Sequence, residues 1–363
     1  MILIDRRSLR IFDYVTLLNV AALLAIGVVL VASASAGQDL DLARRQAVWM
    51  AIGLGLALVV GAINYRHFID NAYLIWGSAV VMLMAMLVFA PRISGARSWI
   101  RIGGFSLQPS EFAKIAVILA LARLFSDREP RDFGLRSMLV PGFLVAVPAL
   151  LIGRQPDQGT AITFLPILAV VAWVAGLRGK SIATLVGVGA AAAPLWYLTL
   201  KDYQIRRLTS FLNPEADPHG AGYQLVQSKI AVGSGGFAGK GLFSGTQSQL
   251  NFLPEQENDF IMALVGEELG FVGVAIVLLL YLTLLIRLLR AAYVARHRSG
   301  ALLCAGLAAL LAFQLIINVG MVIGYVPITG LPLPLLSYGG SSIMTTCIGV
   351  GLVISVRNRR FLL

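Results

Sequence analysis

Phe252-Leu253-Pro254-Glu255-Gln256-Glu257-Asn258-Asp259-Phe260 ends a long polar segment and runs straight into an apolar stretch, 260–286, long enough to cross a bilayer. A carboxylate, Asp259, therefore stands at a water–hydrocarbon boundary, where a charge is costly unless it is solvated, paired or used. The rest of the chain repeats the pattern. Of its 363 residues, 58% are hydrophobic and only 13% charged, and the mean hydropathy of +0.82 lies far above that of soluble domains. Apolar runs fall near 12–34, 46–63, 71–90, 109–125, 138–153, 160–176, 181–199, 260–286, 300–324 and 341–356. The expectation is an all-α polytopic membrane protein of about ten transmembrane helices, an even number that puts both termini on one side. Residues 1–363 are read as a single integral membrane domain, with 200–258 as one long extracytoplasmic loop between helices seven and eight.

The first run is too long for the core of a secretory signal, so it is read as a retained helix. Cys304 and Cys347 both fall inside apolar runs, which indicates neither a disulfide nor a metal pair. The net charge of +11 has no soluble domain to carry a nucleic-acid site, and topology explains it better. With a cytoplasmic amino terminus, most of the 29 basic residues lie on the cytoplasmic side, as the positive-inside rule requires.

The informative basic residues break that rule. Arg92, Arg97 and Arg101 share one short outer loop, 91–108, with Trp99 and the Gly103-Gly104 pair. Their charge needs compensation by lipid phosphate, by outer acids or by an anionic, phosphorylated substrate matched to the guanidinium fork. Pro109 then opens a helix whose Glu111 and Lys114 are spaced i, i+3 and face each other; Lys114 is either neutralised by Glu111 or held by it at an anion site. In Arg154-Gln155-Pro156-Asp157-Gln158-Gly159-Thr160, Asp157 is expected to cap the following helix, the alternative being a pair with an outer arginine.

Within 200–258, the stretch 223–232 suits a short interfacial helix. The run Gly233-Ser234-Gly235-Gly236-Phe237-Ala238-Gly239-Lys240-Gly241 lacks both Walker spacing and a preceding strand, which excludes nucleotide binding. A helix projected onward from Asp259 puts Gly266 and Gly270 within about 20° of its face, Glu267 about 80° round and Glu268 opposite. Glu267 is thus expected to support the same polar cavity as Asp259, and Glu268 to need another partner. Glu255, Glu257 and Asp259 fit no strong metal motif, so no cofactor is assigned and a divalent cation, Mg or Mn, stays an open alternative. Finally, 326–342 holds three prolines and a Gly339-Gly340 pair, and backbone this irregular survives at membrane depth only when buried in protein or lining a polar cavity. The N–H groups around Ser337, Gly339 and Gly340, at the head of the last helix, suit an anion.

Taken together, the segments SGARSWIRIGGFSLQPSEFAK, QPDQGTA, LPEQENDF and the block 318–342 resemble the SEDS family (shape, elongation, division and sporulation) over nearly the whole chain. Tyr325 stands where a smaller aliphatic residue is usual, and Glu257-Asn258 replaces the more usual His-Thr. The amino-terminal Asp5-Arg6-Arg7, Phe12-Asp13-Tyr14 and the Pro332-Leu333-Pro334-Leu335 stretch look more like the elongation branch than the division branch. The resemblance implies a peptidoglycan glycosyltransferase of the bacterial cytoplasmic membrane that polymerises lipid II into β-1,4 glycan strands on the outer face, releasing undecaprenyl pyrophosphate. It implies Asp259 as catalytic base. Arg97, Arg101 and Lys114 would hold the pyrophosphate, Glu111 would orient Lys114, and Trp99 would support the loop or stack on sugar. It also implies a class B penicillin-binding protein as transpeptidase partner, with membrane lipids around the helices and no nucleic acid. The alternatives are a lipid II flippase, a scaffold without activity of its own, and the division or sporulation paralogue of the same polymerase. A translocation path should place polar groups on both sides of the midplane, whereas here they cluster on one.

Overall fold

The computed structural model describes residues 12–35, 41–90, 98–102, 105–127, 135–181, 183–184, 187, 202–218, 220–250 and 252–361. The helices are α1 (Tyr14–Ala34), α2 (Asp41–Ala62), the short α3 (Tyr65–Asp70), α4 (Ala72–Phe89), α5 (Pro109–Ser126), α6 (Leu139–Arg154), α7 (Gln158–Ile162) and α8 (Phe164–Val174). They continue with α9 (Asp202–Leu212), α10 (Ala221–Ser234), α11 (Thr246–Gln249), α12 (Ile261–Tyr293), α13 (Arg298–Val322) and α14 (Gly340–Asn358). Among the described residues, six helices (α1, α2, α4, α12, α13 and α14) are long and apolar enough to cross a membrane. Helices α5, α6 and the α7–α8 pair occupy three further expected spans, while the expected span 181–199 lies almost entirely outside the described residues. The helical polytopic fold thus stands, interrupted by one antiparallel hairpin, β1 (Ile100–Ile102) and β2 (Phe105–Leu107), in which Arg101 pairs with Ser106.

Helix α5 sits at the centre. Its apolar residues run right round the cylinder, and nearly all are buried, as expected of a helix surrounded by others. Pro109 occupies its first turn, where the missing N–H costs nothing. Helix α14 is similarly enclosed, packing along α2 and against α5, with Gly340 seated on the Trp49 ring. Helix α1 is capped by Asp13, whose carboxylate accepts from the Thr16 amide and hydroxyl and pairs with Arg287 at the end of α12 and Arg357 at the end of α14. One buried carboxylate therefore ties three helices together.

Two findings correct the sequence reading. The segment expected as a long loop carries α9, α10 and α11, and α10 extends the anticipated interfacial helix to Ala221–Ser234. Helix α12 is also not regular: Gly270, with φ 64° and ψ −160°, breaks it into two pieces. The glycine-rich run explains how the break is tolerated. Lys240 and Gly241 donate their backbone N–H groups to the carbonyls of Glu267 and Glu268, while Phe271 and Val272 donate to those of Gly236 and Phe237. This strap supplies the backbone partners that the broken ladder gives up, which matters where water is scarce. Gly239 itself has φ 80°, and a Cβ there would lie 2.1 Å from the Glu268 carbonyl oxygen.

The strap makes a stability prediction. Gly239→Ala should lower the melting temperature of the detergent-solubilised protein by several degrees, since it combines a disfavoured φ with a backbone clash. Gly233→Ala, in α10 with nothing within 4 Å of the added carbon, should leave melting unchanged or raise it. Equal melting of the two variants would remove the strap's structural role.

Candidate active site

Asp259 precedes the first turn of α12, at the edge of two irregular segments that hold each other in place. Asn318 of α13 donates from its amide to the carbonyls of Asp259 at 2.9 Å and Leu331 at 2.8 Å. The Ser337 hydroxyl donates to the Asn258 carbonyl at 2.5 Å and accepts from the Leu333 N–H, and the Tyr338 N–H reaches the Glu257 carbonyl. Gln46 of α2 donates to the Ser337 carbonyl and accepts from the Gly339 N–H. The backbone around Asp259 is thus fixed by two helices and by the segment that precedes α14.

The Asp259 carboxylate itself is half-buried and, among the described residues, makes no hydrogen bond. Burial raises its pKa to about 7, helped by the negative charges of Glu255, Asp157 and Glu257, with Arg207 the opposing cation. Glu257 is also raised, by burial first and then by Glu255. A carboxylate ionising near neutrality can take up a proton during a reaction and release it afterwards.

Next to it, Asp157 caps α7, accepting from the Thr160 N–H at 3.1 Å and from the Gln108 side-chain amide at 2.9 Å, and burial raises its pKa as well. Gln108 immediately precedes α5, where Lys114 and Glu111 form an ion pair at 2.7 Å with both side chains buried. Their charges contribute to the surroundings of Asp157, so the Gln108–Lys114 and Asp157 motifs, far apart in sequence, converge. The Gln108 N–H also donates to the Ser341 hydroxyl of α14 at 2.8 Å.

The other candidates divide. Trp99 is half-buried just before β1. Arg101 lies on β1, but its side chain, like the whole of Arg97, falls outside the described residues. Ser337, Gly339 and Gly340 are brought to the Asp259 side of the bundle, where their contacts are the internal ones to Asn258, Gln46 and Trp49. Glu267 is a correction: Asp259 stands in the turn before the first helical residue of α12, so a helical projection from it does not hold, and Glu267 is engaged elsewhere. It pairs with Lys240 at 2.7 Å and accepts from Thr246, Gln247 and Ser248 at the start of α11. Glu268, expected to need a different partner, accepts from the Ser33 hydroxyl of α1 at 2.6 Å.

Sequence reasoning missed Gln46, Asn318 and Arg207. The first two are polar residues inside apolar helices, a signal in itself. Arg207 on α9 was visible only as one of the basic residues on the disfavoured side. Among the described residues, no three His, Cys, Asp or Glu side chains gather as a metal-binding group.

A family model described as "Cell cycle protein", for FtsW, RodA and SpoVE, matches residues 14–361. The chain belongs to this family, the SEDS proteins. The peptidoglycan glycosyltransferase MrdB of Escherichia coli K12 is 40% identical over 97% of this chain and 95% of its own length. RodA of Treponema pallidum, also a peptidoglycan glycosyltransferase, is 34% identical over 98% and 99%. Among solved structures, a chain of a peptidoglycan synthase complex that coordinates polymerization and crosslinking is 35% identical with a TM-score of 0.82, covering 97% of this chain and 99% of its own. The rod-shape-determining protein RodA of Thermus thermophilus follows at 32% identity and TM-score 0.73, covering 96% and 98%. This SEDS protein shares their full-length helical membrane fold.

The charge pattern around Asp259 sets a titration. Infrared difference spectroscopy on the purified protein should show a carboxylate ionising with a midpoint near 7 that disappears in Asp259→Asn. Since the Glu257 charge raises that midpoint, Glu257→Gln should move it to lower pH. An Asp259 midpoint near 4 would overturn the electrostatic description.

Proposed function

We propose that this chain is a peptidoglycan glycosyltransferase that polymerises lipid II, with Asp259 as the general base. Membership of a family whose relatives bear that activity supports the enzyme class. The observation that carries the mechanism is the Asp259 carboxylate, unpaired, half-buried and ionising near neutrality at the edge of a rigid polar cluster. The oxygen of the acceptor's 4-hydroxyl attacks the anomeric carbon of the donor sugar. The new C–O bond forms as the bond from that carbon to the phosphate oxygen breaks, the pyrophosphate leaves with the electron pair, and Asp259 takes the hydroxyl proton. Attack opposite the leaving group inverts the centre and gives the β-1,4 link.

Asp259 is held for this by the Asn318 bond to its own carbonyl and by the Ser337 and Tyr338 contacts to the preceding residues. Stabilisation of the departing pyrophosphate falls to preorganised cations. Arg97, Arg101 and Lys114 take that role in this reading, with Glu111 orienting Lys114 through the 2.7 Å pair and Trp99 flanking the sugar. Asp157 and the Ser337–Gly340 corner shape the site from its other sides. No resident cofactor is assigned; magnesium or manganese would accompany the substrate pyrophosphate.

The chain is read as one membrane domain of about ten spans with both termini cytoplasmic, so that the Asp259 end faces outward. The branch is that of cell elongation. A class B penicillin-binding protein would supply transpeptidation, docking against the lipid-facing sides of α12 and α13, where Phe271, Leu279, Leu282 and Ile316 are exposed. The structural neighbour from a peptidoglycan synthase complex supports such a partnership.

Polymerisation of labelled lipid II by the purified protein with its cognate, transpeptidase-dead partner tests the reading. Wild type should form glycan chains, with a rate that rises from pH 6 to pH 8 as Asp259 ionises. Asp259→Asn should lose activity by at least about 100-fold while keeping its fold. Full activity in folded Asp259→Asn would remove Asp259 as base, and no chains from a folded, partner-bound wild type would turn belief to the flippase or the scaffold.

A further inference from the structure

Among the described residues, the cation that acts on Asp259 is one that the motifs did not nominate. Arg207 lies on α9, an amphipathic helix, and with Asp157 it lines a cavity of about 280 Å³ whose remaining wall is largely apolar, including Leu208, Phe313, Ile317 and Ile328. Its side chain is exposed. Nη1 donates to the Ile328 carbonyl at 3.4 Å, at the long end of hydrogen bonding, and among the described residues Arg207 is in no salt bridge. This contrasts with Lys114, which is buried against Glu111.

Position adds a second argument. A Cβ placed on Gly330 would lie 3.4 Å from Asp259 Oδ2 and 3.9 Å from Arg207 Nη1, so carboxylate and guanidinium both lie within 4 Å of one point on the chain. Thr329, the preceding residue, lines the same cavity, and its hydroxyl is buried and, among the described residues, without a hydrogen-bond partner. The cavity's own carboxylate, Asp157, is occupied on both oxygens by Gln108 and Thr160. An apolar wall with an uncommitted guanidinium and a spare hydroxyl suits a ligand with a hydrocarbon tail and a phosphate head, for which the planar fork of arginine is matched.

We propose that Arg207 binds the phosphate of a polyprenyl-linked substrate or product in this cavity, the prenyl chain lying along the apolar wall and the phosphate held beside Asp259. The proposal rests on the glycosyltransferase reading for the identity of the ligand. Gly330 serves it by leaving the space between the two charged groups free of a side chain.

The test is binding without turnover, so that it answers whether or not the protein polymerises. Purified full-length protein is titrated with farnesyl pyrophosphate, farnesol and inorganic pyrophosphate. Wild type should bind farnesyl pyrophosphate at least about 10-fold more tightly than either of the others, since charged hydrogen bonds and tail burial both contribute. Arg207→Ala should lose that preference over farnesol by about 10-fold or more, Arg207→Lys should retain part of it, and Asp259→Asn should keep it. Arg207 is exposed and makes one long backbone contact, so the alanine variant should fold; Arg207→Gln, which keeps the side-chain length, provides a second version of the same test. Equal binding of farnesol and farnesyl pyrophosphate to wild type would overturn the proposal. So would an undiminished pyrophosphate preference in folded Arg207→Ala or Arg207→Gln, or inorganic pyrophosphate binding as tightly as the prenylated form.

Discussion

Backbone polar groups at membrane depth have no water to turn to, and the structure around Asp259 is organised by that constraint. Two irregular segments, 253–259 and 327–339, leave helical pairing and must find other partners. They find them in each other and in two helices: Asn318 bridges both, Ser337 and Tyr338 reach the carbonyls before Asp259, and the Gln46 amide serves both faces of the Ser337–Gly339 turn. The same logic recurs at Gly270, where the glycine-rich strap accepts and donates what the broken helix cannot. Rigidity near the Asp259 carboxylate is a by-product of satisfying the backbone.

The charges follow a related rule. Asp13 is matched by Arg287 and Arg357, Glu111 by Lys114, and Glu267 by Lys240 and the start of α11, whereas Glu268 accepts from the Ser33 hydroxyl and has no cation paired with it among the described residues. A buried charge left without its partner costs several kcal/mol, so such pairing is the default. Asp259 departs further, since among the described residues its carboxylate makes neither an ion pair nor a hydrogen bond. Its carboxylate has acids around it and Arg207 as the nearby cation, and the consequence is an ionisation moved close to neutral pH. A group kept uncommitted in so well-paired a setting is suited to exchanging a proton with a ligand.

The glycosyltransferase relatives and the matching solved structures span this chain almost end to end, so the arrangement belongs to a shared architecture. Glu257-Asn258 sits immediately before Asp259 and takes part in both the stitching and the electrostatics. Glu257 lends its carbonyl to Tyr338 and its charge to the surroundings of Asp259, while the Asn258 amide donates to Glu255 and its carbonyl accepts from Ser337. The pair thus serves the stitching through its backbone and the electrostatics through the Glu257 side chain.

Features set by neighbours along the chain were open to reading from the residues alone. Apolar runs of membrane length marked the helices, Pro109 and Asp157 marked helix starts, and the i, i+3 spacing of Glu111 and Lys114 predicted an ion pair that the structure contains. The motif resemblance singled out the junction at Asp259 and the family to which the chain belongs. Projection along a regular helix failed at Glu267, because Asp259 lies in the turn before α12 and Glu267 is claimed by Lys240 and the start of α11, from an earlier part of the chain. Arg207 had no local signature either, since its significance comes from the cavity wall and from Gly330, more than a hundred residues later. Spacing along the chain determines which residues share a face, but only tertiary packing decides which faces meet, and thereby which charges are left unpaired.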